Sequence, residues 1–89
     1  MSWQQRRARG QYIVDNEATL GPIRERRQRA NRIFTVPTQY PNRPRGRFRR
    51  PQYRVVVDGD RAVDCNGPDH MLRGRKCKHM FAAEIKMRM

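Results

Sequence analysis

Both cysteines and both histidines of this chain lie in one stretch of fifteen residues, 65–79. They are Cys65, His70, Cys77 and His79. Thiolate sulfur and imidazole nitrogen are the ligands of tetrahedral zinc sites. A chain of 89 residues buries only about 60–65% of the surface that its unfolded form exposes, so a metal or a partner often supplies the missing stability. We therefore expect Zn²⁺ to be bound here and to fasten the fold.

The residues around this stretch predict a small α+β fold. A β-branched run at 53–57, a turn at Asp58-Gly59-Asp60 and a returning strand predict a hairpin over about 53–65. Apolar residues at helical spacing predict a helix over about 77–88. Laid on the hairpin, this helix gives a ββα zinc-finger-like core, residues 53–89.

The N-terminal half predicts an extended, arginine-rich region. Residues 1–32 form a basic extension in which a short helix begins at Glu17 and a second helix covers about 22–31. Residues 33–40 contain the β-branched and aromatic side chains of an edge strand. Residues 41–52 combine arginine with proline, which predicts a basic arm without regular structure.

Several short motifs in the C-terminal half carry a family resemblance. They are Pro68-Asp69, Arg73-Gly74, Cys77-Lys78-His79 and Ala82-Ala83-Glu84, preceded by Phe34-Thr35-Val36-Pro37-Thr38-Gln39 and Tyr53-Arg54-Val55. Together they resemble the SWIM zinc finger, in the form found in transposase-type proteins. That family has the pattern Cys-x-Cys, a variable loop, then Cys-x-His on a ββα scaffold. The resemblance covers about residues 33–86, and it implies zinc binding and contact with DNA or protein without catalysis.

One position departs from the family pattern. The second cysteine of the family would stand at position 67, where this chain has Gly67, and glycine offers no ligand atom. The resemblance therefore implies only Cys65, Cys77 and His79 as ligands.

The fourth ligand position has several candidates. His70 lies five residues after Cys65 and would make the site Cys₂His₂. Asp69, water or no ligand at all are the alternatives. For Cys65 and Cys77 themselves, the alternatives to zinc are a disulfide or two core thiols without metal.

The charge of the chain predicts a polyanionic partner. The net charge is +13, and eighteen of the twenty-one basic residues are arginine. Residues 1–50 hold thirteen arginines against three acidic residues. The planar arginine fork suits bidentate phosphate contacts, although a genome rich in GC would also favour arginine codons. We expect nucleic acid, RNA or DNA, to be bound mainly through its phosphates.

Two groups of residues are the predicted nucleic-acid contacts. In the arm they are Arg43, Arg45, Arg47, Phe48, Arg49 and Arg50, and around the metal loop they are Arg73, Arg75, Lys76 and Lys78. Arginines that alternate with prolines can follow a phosphate backbone while the aromatic ring stacks on a base. The alternatives are a solvated charge run in the arm and, in the loop, cations that only support the thiolates.

These features favour a non-enzymatic nucleic-acid-binding protein. The first expectation is a structural component of a ribonucleoprotein such as the ribosome, which binds rRNA beside other proteins of the assembly. A DNA-binding accessory protein or fragment related to transposases is the alternative, and a protein–protein adaptor is the second alternative. The sequence shows no cluster of carboxylates for two-metal phosphoryl chemistry, and no small-molecule substrate or membrane is expected as a partner. The polar N-terminus and two reduced thiols predict a cytoplasmic location.

Overall fold

The computed structural model describes residues 2–41 and 51–89 and has a small α+β fold, as predicted. In chain order its elements are α1 (Trp3–Asp15), α2 (Glu17–Leu20), β1 (Arg24–Gln28), β2 (Asn31–Pro37), β3 (Gln52–Asp58), β4 (Arg61–Cys65), α3 (Pro68–Arg73) and α4 (Lys78–Met87). Across these described residues, no helix has both the length and the apolar character needed to cross a bilayer.

The four strands form a meander in which each strand pairs antiparallel with the next. Side chains alternate between the two faces of a sheet, so every second residue of β2 and β3 contributes to one apolar face. Phe34 is paired with Val55, and Val36 with Tyr53, and all four are buried. The hairpin predicted for residues 53–65 is confirmed by β3 and β4.

Helix α4 packs on this apolar face and is covered on its other side by α1. Its six residues from His79 to Glu84 are therefore all buried. The two helices approach closely at Gly10, where an added Cβ would lie 2.7 Å from Phe81 Cβ and 2.8 Å from Ala82 N. The ring of Trp3 in α1 meets the Phe81 ring edge-on, with 5.3 Å between centroids. The helix predicted for residues 77–88 is confirmed.

Glu84 ties α4 to the sheet although it is a charged residue in the interior. Its carboxylate accepts a hydrogen bond from the backbone N–H of Ala62 in β4 (2.7 Å) and another from the ammonium of Lys76. Burial costs a carboxylate roughly several kcal/mol of hydration free energy, and these two hydrogen bonds offset that loss. Glu84 therefore joins α4, β4 and the loop that precedes α4.

The beginning of the chain is helical, so the prediction of an extended N-terminal half is wrong. Ser2 caps α1: its hydroxyl accepts from the N–H of Gln5, and the Gln5 side chain accepts from the N–H of Ser2. This reciprocal capping box starts the helix, and Ile13 and Val14 bury its end in the core. The short helix predicted at Glu17 is confirmed by α2.

Residues 22–31 contain a strand and a turn, so the helix predicted there is wrong. Strand β1 pairs with β2 from Arg24 opposite Thr35 to Gln28 opposite Asn31. Its charged residues have good helix propensity, but a helix here would have almost no apolar face to pack. Pairing with β2 satisfies the backbone instead. Strand β2 is therefore an interior strand and not the predicted edge.

A hydrogen bond from the N–H of Thr38 to the carbonyl of Pro51 (3.0 Å) closes the connection between β2 and β3. The predicted arm, residues 41–52, belongs to this connection, except that Gln52 is the first residue of β3. The predicted contacts Arg43, Arg45, Arg47, Phe48, Arg49 and Arg50 lie outside the described residues.

Replacing Gly10 with alanine is expected to destabilise the fold by about 1–3 kcal/mol, as overpacking does. Helix propensity alone predicts a stabilisation of about 1 kcal/mol. The new methyl group would meet the backbone of α4 at Ala82 N and Lys78 O. The free energy of unfolding should therefore fall, although helix propensity alone would raise it. Urea denaturation of Gly10→Ala measures the change.

The control is Ala8→Gly at an exposed position of α1, which should lose about 1 kcal/mol through propensity alone. A Gly10→Ala protein more stable than the wild type would contradict the close packing of α1 on α4.

Candidate metal centre

Three of the four predicted metal ligands come together at the junction of the sheet and α4. Cys65 is the last residue of β4, Cys77 is the N-cap of α4, and His79 lies in the first turn of that helix. Their ligand atoms all lie within 4.8 Å of one another, and all three residues are buried. The two ends of the 65–79 stretch therefore meet at one point.

The donor set and its spacing fit a tetrahedral zinc ion. Zinc–ligand distances of about 2.3 Å to sulfur and about 2.0–2.1 Å to nitrogen separate neighbouring ligand atoms by about 3.5–3.8 Å. Cys77 Sγ and His79 Nδ1 are 3.8 Å apart, and no pair exceeds 4.8 Å. Zinc bound by these residues would supply a cross-link between β4 and α4, as structural sites do.

The two cysteines form a hydrogen-bonded pair with unequal acidity. The hydrogen bond from Cys65 is the main cause that lowers the pKa of Cys77, and contacts with His79 and the N–H of Met80 add to it. The same bond, together with burial, raises the pKa of Cys65. Burial lowers the pKa of His79. A thiolate at Cys77 and a neutral imidazole at His79 are the forms that bind metal.

The His79 ring is held in place by stacking. It lies against the Tyr53 ring with 3.9 Å between centroids and 24° between planes. Nδ1 faces Cys77, whereas Nε2 is buried without a hydrogen-bond partner among the described residues. Tyr53 thus orients the ring so that Nδ1 points toward the sulfur atoms.

Gly67 lies directly beside the three ligands. A Cβ built on it would be 3.4 Å from Cys65 Sγ and 3.4 Å from His79 Nδ1, and its backbone N–H donates to Cys65 Sγ (3.3 Å). Its φ of −77° is accessible to any residue. The position at which the SWIM resemblance expects a cysteine is therefore at the site, but it carries no donor atom.

His70 does not join the cluster in this structure. Its Nδ1 is 3.0 Å from the carbonyl oxygen of Arg75, and its Nε2 is 3.4 Å from the carboxylate of Asp64. Asp69 is also engaged: burial opposes its ionisation, but the Arg75 guanidinium at 2.8 Å outweighs burial and lowers the Asp69 pKa. Ligation by His70 or Asp69 stays a prediction, and it requires these contacts to break.

The cations of the metal loop are mostly engaged within the protein. Lys76 donates to Glu84 and lies 4.6 Å above the Phe81 ring. Lys78 donates to Gln39 (3.0 Å) and lies over the ring of Tyr40. Arg75 holds Asp69, and Arg73 is exposed. Their predicted phosphate contacts stay predictions, and Arg73 is the most accessible of the four.

A cleft of about 320 Å³ opens beside Cys77 and His79. Arg6 and Arg9 of α1 line it together with Lys78. These two arginines have no role among the residues predicted from sequence, because no helix is predicted before Glu17. The signal was present in the Ser2 capping box, which starts a helix, and in the spacing of three residues that places both arginines on one helix face.

The purified protein is expected to contain about one zinc ion per chain, and Gly67→Cys is expected to bind zinc at least ~10-fold more tightly. The added thiolate completes a four-ligand shell. Chelator competition measures the affinity, and Gly67→Ser is the matched control without a thiolate. Equal affinities in the two variants would contradict the position assigned to residue 67.

His70→Ala tests the fourth ligand. Because its ring nitrogens contact Arg75 and Asp64, zinc content by elemental mass spectrometry should be unchanged. Loss of zinc would instead establish His70 as a ligand. Cys77→Ser should lose the metal in either case.

No protein-family model matches this sequence, and no curated protein or solved structure is significantly similar to it. The SWIM resemblance therefore rests on the short motifs and on the three clustered ligands.

Proposed function

We propose that this protein is a non-enzymatic RNA-binding component of a ribonucleoprotein particle such as the ribosome, where it binds the phosphate backbone of rRNA. The observation that carries the proposal is the charge that folding leaves unneutralised. Twenty-one basic residues face eight acidic ones, so complete pairing would still leave thirteen positive charges. A polyanion is the partner that such a surface attracts.

The distribution of the charge supports the same partner. Lys76, Arg75 and Lys86 are paired with acidic side chains in or beside the core. By contrast, every residue of β1 is exposed, and the arginines of this strand make no ion pair within the described part of the chain. Three of the eight acidic residues, Glu17, Asp69 and Glu84, are thus paired with cations in or beside the core, whereas the arginines of β1 are exposed.

In this proposal β3, β4 and α4 form a ββα zinc-finger-like unit. Cys65, Cys77 and His79 hold Zn²⁺ and join the hairpin to the helix. RNA that binds only the folded form adds stability by mass action, which helps a core of this size. Zinc and RNA are then two separate sources of stability for one small domain.

A DNA-binding accessory protein related to transposases is a second candidate. The observation that favours it is the position of Gly67, whose built Cβ lies 3.4 Å from Cys65 Sγ. This is where the resemblance to the transposase-type SWIM finger expects a ligand. The family resemblance thus favours DNA, whereas the arginine-rich surface fits either nucleic acid.

Binding to an rRNA fragment is expected to weaken about 10³–10⁵-fold between 50 and 200 mM salt, the range for six to ten phosphate contacts. Each contact releases condensed counterions, so affinity falls steeply as salt rises. Fluorescence anisotropy over a salt series measures the slope. An affinity that does not change with salt would exclude backbone binding.

Co-sedimentation separates the candidates. In moderate salt the protein should migrate with ribosomal particles, and nuclease treatment should release it. Departure from the particles together with tight binding of duplex DNA would favour the second candidate. Retention on an acidic protein after nuclease treatment would favour an adaptor.

A further inference from the structure

We propose that the β1–β2 hairpin, residues 24–32, is the surface that docks on the RNA backbone, with the outward face of the sheet beside it. This inference rests on the proposed function and assigns it to residues outside the arm and the metal loop. The hairpin is the part of the described chain in which arginine is most concentrated and most exposed. The following observations concern its two faces and its turn.

The outward face of the sheet is exposed along β1, whose five residues are all exposed and whose main contacts within residues 2–41 and 51–89 are with β2. Helices α1 and α4 cover the face that carries Phe34, Val36 and Val55. Because side chains alternate along a strand, the pairing of β1 with β2 places Arg24 and Arg26 on the opposite face. Arg54 of β3 shares this face, since Thr35 is paired with both Arg24 and Arg54.

Arg29 and Arg54 line a shallow groove on this face, and Arg24 and Arg26 lie on the same face beside it. Neighbouring strands are about 4.8 Å apart, so the backbones at Arg24 and Arg54 are separated by about 10 Å across Thr35. Two residues further along the strands, Arg26 is paired with Ile33 and Ile33 with Val56, and these two apolar residues form the floor of the groove. A groove of about 480 Å³ runs over this floor toward the turn. Arginine side chains beside a floor without charge suit a phosphate strand. The carboxylate at the far end of this row of paired residues is that of Asp64, which is paired with Val56 and lies 3.4 Å from His70 Nε2.

The turn of the hairpin contains a residue that is unfavourable for its backbone conformation. Arg29 has φ = +58°, a left-handed conformation in which asparagine or glycine is preferred in two-residue hairpin turns. Arg29 lines the groove. It also lines a second pocket at the end of the sheet, which Arg27 and Arg32 line as well. Local strain of this kind is common at functional positions, and here it places one more guanidinium at the tip.

The shape of the surface favours RNA over duplex DNA. Strand β1 belongs to a four-stranded sheet about 14 Å across its backbones, which is wider than the roughly 12 Å major groove of B-DNA. The hairpin therefore cannot enter that groove as a separate two-stranded ribbon. The minor groove of an RNA helix is wide and shallow, so phosphates and 2′-hydroxyl groups are accessible to a broad surface. The described outward positions supply Ile33, Thr35 and Val56, which do not stack on bases, so backbone contacts dominate.

The test removes charge from the hairpin and compares it with equal removal elsewhere. Arg24→Gln/Arg26→Gln is compared with Arg7→Gln/Arg61→Gln, whose residues line a pocket beside α4. The probe is a 20-base-pair RNA duplex, with a DNA duplex of the same sequence in parallel. The hairpin variant should bind RNA ~10-fold or more weakly, with a salt slope reduced by about 1–2, and the control should change less than about 3-fold.

The Arg29→Asn variant separates weaker RNA binding through loss of charge from weaker binding through loss of stability. Relief of the left-handed conformation should raise Tm by roughly 2–4 °C, whereas loss of the tip charge should weaken RNA binding several-fold. A rise in Tm with unchanged affinity would overturn the role of the tip.

The outcomes distinguish a failure of the hairpin assignment from a failure of the proposed function. Wild-type protein that binds RNA, combined with equal losses in the hairpin and control variants, overturns the hairpin assignment alone. Wild-type protein that binds no RNA overturns the proposed function. Tighter binding of the DNA duplex, lost in the hairpin variant, overturns the choice of RNA.

Discussion

Helix α4 must be buried on two sides, and the rest of the structure depends on this constraint. One side rests on the apolar face of the sheet and the other on α1. A helix in this position needs small residues where a neighbour comes close, and Ala82, Ala83 and the facing Gly10 meet that need. The N-terminus of α4 also carries Cys77 and His79, so the packing of the helix determines whether the ligands meet Cys65.

Most acidic residues of the chain make contacts within the fold, although Glu84 alone among them is buried. Six of the eight make side-chain contacts within the described residues, and these are Asp15, Glu17, Glu25, Asp64, Asp69 and Glu84. Glu17 accepts from Lys86 of α4 and from the N–H of Ile23, so it joins both ends of the chain. The positive charge of the protein follows from its composition, because twenty-one basic residues exceed eight acidic ones whichever pairs form.

The parts of the fold that local pattern could predict are those with an apolar period. The β3–β4 hairpin and α4 show such periods, and the cysteine–histidine spacing located the three clustered ligands. Helix α1 contributes mainly Ile13 and Val14 to the core, and β1 contributes no buried residue. The structure of α1 follows from contacts with the distant α4, and that of β1 from pairing with β2, since neither element shows a clear apolar period of its own. The partners of His70, Arg75 and Asp64, lie only five and six residues away, but the cysteine–histidine spacing does not reveal them.

The contact between α1 and α4 joins residues from opposite ends of the chain. Beside this contact, the guanidinium of Arg6 donates to the carbonyl of Lys76 in the loop before α4, seventy residues later (2.7 Å). During synthesis β1 to β4 leave the ribosome before α4, the helix that covers their apolar face in the folded protein. Such transiently exposed strands are prone to aggregate. The core can close only after α4 has followed the sheet, because α4 packs between the sheet and α1.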